Sequence, residues 1–288
     1  VQEAEGLEAQ AGFRGKRGCP DGFFNMIMGL TKRKEHGKAT WALFIDLMKA
    51  FDTVVRKAAF DVCKKFGYPS HFLNIVLRFY KNAIIKFMVG NTDSEVDSNI
   101  GVRQGSIEGP SVFLLIIQAA LETMDWPVDK PEFCTRKDGV TMGERVERTK
   151  EVELFELFMS LFADDCGLLF NTRQDLSTGA NYLFNHLARF GLHMHIGRGL
   201  IASKTEAMYC PARGMKYEDG DTSNFTVADG FIHFVPEFKY LGGLIHYSTT
   251  SDTDIIARIG FANAAFGALR TDFFANKDLH LKSKITIY

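Results

Sequence analysis

The sequence has few of the features that mark a secreted or membrane-embedded protein. Its five cysteines are odd in number, lie far apart and form no Cys-x-x-Cys pair. Such usage suits a reduced, intracellular protein better than a disulfide framework or a zinc site. We find no signal-peptide pattern and no apolar run long enough to span a bilayer. We therefore expect an intracellular protein, nuclear or cytoplasmic and not secreted, without a membrane partner.

The chain also lacks a strong excess of charge of either sign. Its formal net charge is −1, whereas a typical nucleic-acid-binding domain is strongly basic. Basic clusters do occur, at Arg14, Lys16 and Arg17 and again at residues 32–34 and 64–65. The net charge is therefore only a weak argument against a polyanionic partner. At 288 residues, the chain is long enough for a full core and for more than one sub-domain.

Hydrophobic periodicity and turn residues predict an irregular alternation of helices and strands. We expect Asp21, Ser70 and Asp175 to cap three of the helices. A glycine-bearing loop is predicted at 101–110, and a polar, irregular surface insertion at 126–150. The expected fold class is α+β, with helices on one face of an antiparallel sheet. The predicted helices are 21–36, 56–66, 70–82, 112–125, 175–190 and 254–270. The predicted strands are 40–46 and 238–245, with hairpins at 83–100 and 157–170 and two strand pairs near 206–210 and 225–234, joined by turns that include Asp229-Gly230.

Two adjacent carboxylates, Asp164 and Asp165, interrupt the otherwise apolar run 157–170. Unpaired buried charge is costly, and hard divalent cations take oxygen ligands, so the pair indicates half of a metal site at a strand turn. Asp46, which closes the predicted strand 40–46, is the natural third carboxylate. Together the three could hold two Mg²⁺ ions suited to phosphoryl transfer. On these residues alone, a solvated strand end and an acidic turn are the more common structure.

Five segments stand out in order along the chain: Ile45–Asp52, Gly101–Pro110, Phe162–Asp165, Ser203–Glu206 and Phe238–Gly242. Together they resemble the catalytic motifs of reverse transcriptases. The closest similarity is to the branch of non-LTR retrotransposons and group II introns. Upstream, Gln10–Arg14 with Asp21 resembles part of the fingers of that family.

The resemblance implies a right-hand polymerase fold, with a palm formed by an antiparallel sheet packed on helices. Residues 1–38 would be partial fingers, and residues 39–247 the palm, with a fingers insertion at about 67–100. Residues 248–288 would begin a truncated thumb or connection. Because the first residue is Val and Tyr288 directly follows a Lys-Ile-Thr-Ile run, we expect both ends to be cut from a longer polypeptide.

The resemblance also assigns catalytic roles. Asp46 and Asp164 would bridge two Mg²⁺ ions, for which Mn²⁺ could substitute, and Asp165 would help to complete the metal site. The backbone carbonyl of Leu47 would add a ligand, and Lys204 would protonate the leaving pyrophosphate as a general acid. For Lys204, an ordinary exposed lysine is an equally good interpretation.

Further residues would contact nucleotide and nucleic acid. Phe51 would act as a steric gate against the ribose 2′-hydroxyl, although it could equally be a core residue. Gln104 would contact the incoming nucleotide, and Gly105 would let the backbone approach it closely. The primer and template contacts would be Arg14, Arg17 and Arg103, together with a primer grip formed by Tyr240, Leu241 and Gly242. A solvated charge cluster and an ordinary buried strand are the respective alternatives.

The chain departs from the family pattern in two places. The second motif usually has an acidic residue and a Leu-Ser pair, where this chain has Ser106, Glu108 and Gly109. Before Lys204, a longer segment, 193–202, replaces a short Gly-Leu-x-x-Asn segment. The first departure affects a loop expected to touch template and nucleotide, and the second makes the placement of the lysine less certain than that of the aspartates.

The leading hypothesis is an RNA-directed DNA polymerase in which a primer 3′-hydroxyl attacks the α-phosphate of a dNTP. Its partners would be an RNA template, a DNA primer or duplex and dNTPs, with a thumb and an endonuclease domain in the longer polyprotein. Alternatives are a catalytically silent RNA-binding scaffold of the same fold, a decayed element fragment, and an RNA-dependent RNA polymerase, which the bulky Phe51 disfavours.

Overall fold

A six-stranded sheet forms the centre of the molecule. The computed structural model describes residues 7, 9–90, 92–103, 105–136, 152–156 and 159–287. The strands of this sheet are β1 (Thr40–Ile45), β6 (Met159–Phe162), β7 (Asp165–Phe170), β8 (Glu206–Cys210), β9 (Phe225–Val227) and β10 (Gly230–Phe234). The strand order is β6-β7-β1-β8-β10-β9, and neighbouring strands are antiparallel except for β8 and β10, which are parallel.

The other strands form two-stranded antiparallel ribbons. They are β2 (Ile84–Val89) with β3 (Thr92–Asp97), β4 (Glu132–Arg136) with β5 (Val152–Glu156), and β11 (Glu237–Tyr240) with β12 (Gly243–His246). The α-helices are α1 (Cys19–Glu35), α2 (Ala50–Thr53), α3 (Arg56–Lys65), α4 (Ser70–Tyr80), α5 (Glu108–Glu122), α6 (Arg173–Ala188), α7 (Asp252–Leu269) and α8 (Leu281–Ile287). A 3₁₀ turn (Tyr217–Asp219) follows β8, and a π-helical segment (Arg270–Phe274) continues α7. In the described ranges, no helix is both long and apolar enough to cross a membrane.

The central strand β1 is buried along its whole length because both faces of the sheet are covered. On one face, Leu43 and Ile45 pack with the apolar residues of α3, α5 and α6. On the other face, Ala42 and Phe44 pack with α1 and with the β11-β12 ribbon. Successive side chains of a strand point to opposite faces, so the run Trp41–Ile45 contributes to both cores.

The α+β class is confirmed, but the expectation of an antiparallel sheet with helices on one face is wrong. The sheet is mixed, and helices cover both of its faces. A sheet covered on one face would leave alternate residues of β1 exposed, whereas Ala42 and Phe44 are as buried as their neighbours. A strand that is buried on both sides reads as a continuous apolar run, so its environment cannot be deduced from a period of two.

The helix caps differ from the predicted ones by a few residues. Thr172, not Asp175, caps α6, and Asp175 completes a capping box by accepting the Thr172 N–H at 3.1 Å. Asp21 lies in the first turn of α1, where its carboxylate accepts the N–H of Gly18 at 2.7 Å. In both helices, the residue predicted as the cap is the acid at the third helical position. Both ends of a capping box are polar, so the sequence alone does not show which of the two is the cap. Similarly, Ser70 is the first residue of α4 rather than its cap.

Three further segments differ from the expected structure. Helix α5 begins at Glu108, so the last residues of the predicted loop 101–110 are helical. The predicted strand 238–245 is a hairpin whose turn, Leu241-Gly242, has positive φ angles of 47° and 83°. In the predicted irregular insertion, residues 132–136 form a strand paired with 152–156, and residues 137–151 lie outside the described residues.

We predict that Gly179→Ala destabilises the protein. Gly179 lies in α6, where a Cβ would collide with Cε1 of the fully buried Phe170 and lie 3.0 Å from its Cζ. Overpacking of this kind costs about 1–3 kcal/mol, against a helix-propensity gain of at most about 1 kcal/mol. Denaturant-induced unfolding should therefore show a net loss. The matched control is Gly260→Ala in α7, where the added Cβ meets no described atom within 4 Å outside the adjoining helix backbone. Its stability should be unchanged or increased, and an equal loss in both variants would contradict the packing explanation.

Candidate active site

The acidic pair lies at the end of the central sheet, in a two-residue turn between β6 and β7. Phe162 pairs with Asp165, so Ala163 and Asp164 form the turn. Ala163 has a φ of 57°, in the left-handed region that residues other than glycine seldom adopt. Asp164 is therefore at the tip of the hairpin, and Asp165 is the first residue of β7. The predicted acidic hairpin turn is confirmed.

Asp46 lies beside this pair because of the register between β1 and β7. Ile45 pairs with Cys166 in an antiparallel ladder, so the next residue, Asp46, is level with Asp165. Residues opposite each other in such a ladder point to the same face of the sheet. The structure thus brings Asp46 together with the adjacent pair Asp164 and Asp165, which is distant from it in the sequence, at one end of neighbouring strands.

The proximity of the three carboxylates has an electrostatic consequence. The pKa of Asp165 is raised above its ordinary value, first by partial burial and then by the negative charges of Asp164 and Asp46. Both causes disfavour the charged form of Asp165. A bound cation would reverse this effect, because it would attract all three carboxylates.

The chemistry of these side chains fits a divalent cation such as Mg²⁺, which takes oxygen ligands. Within the residues that the structure describes, no three His, Cys, Asp or Glu side chains are arranged as a ready-made metal site. The three aspartates therefore supply suitable donors and a local excess of negative charge, without a closed ligand shell.

The backbone of Asp46 is held from the opposite side by the segment before β8. The hydroxyl of the fully buried Thr205 accepts the N–H of Asp46 at 3.2 Å and donates to its carbonyl at 3.4 Å. The backbone N–H of His195 donates to the same carbonyl at 2.9 Å. Sequence reasoning missed both residues, although Thr205 directly follows Lys204 in a recognised motif. The role of Thr205 follows from its burial, which the sequence does not show.

Two further predicted catalytic residues lie near Asp46. Leu47 is buried and forms an isolated antiparallel bridge with Met194. Lys204 is exposed, and its backbone N–H donates to Nδ1 of His195 at 3.2 Å. Lys204 directly precedes Thr205, whose hydroxyl bonds to the backbone of Asp46. The lysine is thus on the β8 side of the carboxylates.

Phe51 lies in α2, shortly after Asp46. Its half-buried ring stacks on Phe113 of α5, with ring centroids 4.4 Å apart and planes inclined by 24°. One side of the ring is therefore core, while part of it reaches the surface. The carbonyl of Phe51 accepts the N–H of Val102 at 2.8 Å, which attaches the glycine-bearing loop to α2.

An arginine that the sequence analysis did not identify organises the glycine-bearing loop. Arg56 donates to the carbonyls of Gly101 at 2.6 Å and Ile100 at 2.8 Å, and to the carbonyl of Ser98. The guanidinium groups of Arg56 and of the exposed Arg103 lie 4.8 and 5.7 Å from the ring centroid of Tyr80.

A cleft of about 700 Å³ opens beside this loop. Its lining includes Asp52, Arg56 and Arg103, together with residues of the β2-β3 ribbon. Gly105 has a φ of 82°, whereas Gln104 lies outside the described residues. The cleft thus combines two guanidinium groups with two carboxylates, those of Asp52 and Asp97, beside the glycine-bearing loop.

The predicted primer-grip residues differ in their surroundings. Tyr240 is 2% exposed, and its hydroxyl donates to the carbonyl of Ser160 at 2.8 Å, so its side chain supports β6 from within the core. Leu241 and Gly242 form the more exposed hairpin tip. A contact with a primer therefore remains a prediction for the tip, and the tyrosine ring is not available for it.

The two N-terminal arginines are partly buried near the start of the described chain. Arg14 donates from its guanidinium to the carbonyl of Leu7 at 2.7 Å. The backbone N–H of Arg17 donates to the carbonyl of Arg14 at 3.4 Å. Their predicted contacts with template or triphosphate remain predictions.

Comparisons with known proteins identify the same family that the motifs resemble. The family model described as "Reverse transcriptase (RNA-dependent DNA polymerase)" matches residues 4–244. The chain is also 23% identical over 187 residues to the Retrovirus-related Pol polyprotein from type-2 retrotransposable element R2DM of Drosophila melanogaster, a match that covers 65% of this chain and 16% of that polyprotein.

A second relative is the Retrovirus-related Pol polyprotein from type-1 retrotransposable element R2 of Nasonia vitripennis. It is 26% identical over 158 residues, which are 54% of this chain and 14% of the relative. The chain therefore spans a small part, about a sixth, of the length of the curated relatives that it matches.

We predict that Asp165→Asn stabilises the metal-free protein at neutral pH. The substitution removes a carboxylate whose charged form is disfavoured by burial and by two neighbouring aspartates. The gain should be below about 1 kcal/mol, because these groups are partly screened by solvent. Thermal unfolding without divalent cations measures it, with Asp61→Asn on α3 as the exposed control.

The same variant should show a defined pH dependence. Because the pKa of Asp165 is raised in the folded state, its charged form costs stability above that pKa. As the pH falls towards the ordinary aspartate pKa, the native carboxylate takes up its proton first and the cost disappears. The advantage of Asp165→Asn should therefore shrink on acidification. An advantage that grows at lower pH would contradict the assignment.

Proposed function

Because the chain belongs to the reverse transcriptase family, we propose that it adds deoxynucleotides to a primer 3′-hydroxyl under the direction of an RNA template. The observation that carries this proposal is the convergence of Asp46, from the end of β1, with Asp164 and Asp165, in the β6-β7 turn. The family match and the ordered motifs supply the reaction class, and the convergent carboxylates supply the place for its chemistry.

We propose that Asp46 and Asp164 hold two Mg²⁺ ions, with Asp165 and the carbonyl of Leu47 completing the site. When bound, the metal pair stabilises the attacking and leaving oxygens of phosphoryl transfer. The chain's own contribution is to hold the carboxylates at the end of the sheet, where ladder pairing and Thr205 restrain them. Lys204, which precedes the Thr205 that bonds to the Asp46 backbone, would donate a proton to the departing pyrophosphate.

Nucleotide selection is assigned to α2 and the glycine-bearing loop. Phe51 would exclude a ribose 2′-hydroxyl with the part of its ring that does not pack on Phe113. Gln104 and Gly105 would face the incoming nucleotide, and Arg103 would contact phosphate at the cleft that it lines. A guanidinium matches phosphate oxygens in geometry as well as charge.

In domain terms, we propose that residues 39–247 form a polymerase palm, with partial fingers at 1–38 and a fingers insertion at about 67–100. Residues 248–288 would begin a thumb or connection. This assignment is supported by the central sheet and by the β2-β3 ribbon, whose β2 strand is exposed along its length. The relatives are Pol polyproteins of retrotransposable elements, so the partners proposed are an RNA template, a DNA primer, dNTPs and further domains such as an endonuclease.

Asp164→Asn should abolish primer extension. The substitution removes a metal-binding charge at the tip of the hairpin, so we expect the rate to fall about 100-fold or more. The assay is extension of a DNA primer on an RNA template with dNTPs and Mg²⁺, with Asp61→Asn as the control. Equal activity in the wild type and Asp164→Asn would overturn the mechanism. A wild type that binds RNA without extending the primer would instead support a silent scaffold.

Phe51→Ala should increase ribonucleotide incorporation relative to deoxynucleotide incorporation. Removing a ring that blocks the 2′-hydroxyl is expected to reduce the discrimination roughly 10- to 100-fold. The readout is the ratio of kcat/KM for a dNTP to that for the matching rNTP. Phe113→Leu is the control, because it weakens the same aromatic stack but keeps the Phe51 ring. Unchanged discrimination in Phe51→Ala would remove the steric-gate assignment.

A further inference from the structure

A short N-terminal segment covers the outer edge of the sheet beside the acidic turn. The N–H of Ala11 donates to the carbonyl of Leu161 at 2.8 Å, and the N–H of Leu161 donates to the carbonyl of Ala9 at 3.0 Å. Gln10 thereby forms a parallel bridge with Leu161 of β6. Since β6 is an edge strand, these bonds satisfy backbone groups that would otherwise face outward.

The side chain of Gln10 reaches from this segment into the turn. It is 6% exposed, and its Oε1 accepts two backbone N–H groups, from Gly12 at 2.7 Å and from Ala163 at 3.1 Å. Both partners are donors, so the amide must present its oxygen to them. The glutamine therefore links the N-terminal segment directly to the residue that precedes Asp164.

The packing around this contact leaves little freedom. Ala163 is 5% exposed and keeps a positive φ, so losing the acceptor for its N–H would leave a buried donor at a conformationally costly position. Gly12 allows the close approach, because a Cβ there would lie 2.6 Å from the Ala163 nitrogen and 3.1 Å from the Phe162 carbonyl carbon.

We propose that Gln10 is a positioning residue for the polymerase reaction: through its bond to the Ala163 N–H it holds the turn in the conformation that presents Asp164. The inference rests on the proposed function, but Gln10 itself touches neither metal nor nucleotide. Its effect should fall mainly on kcat, because the proposed nucleotide cleft is lined by α2, α3, the glycine-bearing loop and the β2-β3 ribbon with its flanking residues, none of which contains Gln10.

The first test measures the turn without relying on activity. Hydrogen exchange of the Ala163 amide should become about tenfold faster in Gln10→Leu. This substitution removes the acceptor oxygen and replaces the glutamine with an apolar side chain of comparable size. Gln10→Glu retains an acceptor oxygen and should keep exchange slow. Gln118→Leu is the matched control, since Gln118 is also 6% exposed but lies in α5. It should leave exchange at Ala163 unchanged.

The second test uses primer extension under the same conditions as for Asp164→Asn. Gln10→Leu should lower kcat roughly 10- to 100-fold while changing the KM for dNTP less than about twofold, because a small displacement of a reacting group is costly. Gln118→Leu should retain near-wild-type kcat even if its thermal stability falls similarly. A proportional loss in both variants would assign Gln10 an ordinary structural role.

Gly12→Ala provides an independent variant in case Gln10→Leu does not fold. It keeps the glutamine but forces the Ala163 nitrogen to move, so it should accelerate exchange at Ala163 and lower kcat as well. Unchanged exchange in a folded Gln10→Leu or Gly12→Ala protein would overturn the proposal. If the wild type extends no primer, the proposed function fails, whereas the exchange experiment still decides whether Gln10 holds the turn.

Discussion

The antiparallel register between β1 and β7 is the constraint on which the candidate site depends. It pairs Ile45 with Cys166 and so places Asp46 level with Asp165. A shift of one residue would move every side chain of β1 to the opposite face of the sheet. Because both faces are packed against apolar residues, such a shift would disrupt two cores at once. The hydrophobic cores therefore also determine where the carboxylates meet.

Hydrogen bonds to the backbone on two sides hold those carboxylates in place against their mutual repulsion. Thr205 and His195 restrain Asp46 from the β8 side, and Gln10 restrains the turn from the sheet edge. None of these contacts uses the carboxylate groups, which stay available for a cation. Hydrogen bonding through the main chain thus fixes position without using the three carboxylate groups, an arrangement that suits the binding of divalent metal ions.

Much of the organisation could be predicted from the sequence. The α+β class, most helices and strands and the acidic hairpin all follow from local patterns, because apolar spacing and glycine turns act over a few residues. Errors occurred where two local signals were equivalent or where burial mattered. Thr172 and Asp175 both suit a helix start, and the continuous apolar run Trp41–Ile45 fits either a strand with one buried face or a strand buried on both.

The sequence by itself determined the set of candidate functional residues: three aspartates, a lysine, a phenylalanine and glycines, in motifs that resemble those of the reverse transcriptase family. Only the tertiary structure decided which of them meet. It placed Asp46 beside Asp165, buried the ring of Tyr240 and assigned contacts to Gln10, Thr205 and Arg56 that no local pattern indicated. The reason is physical, since long-range pairing depends on strand register and core packing, which no short window of sequence contains.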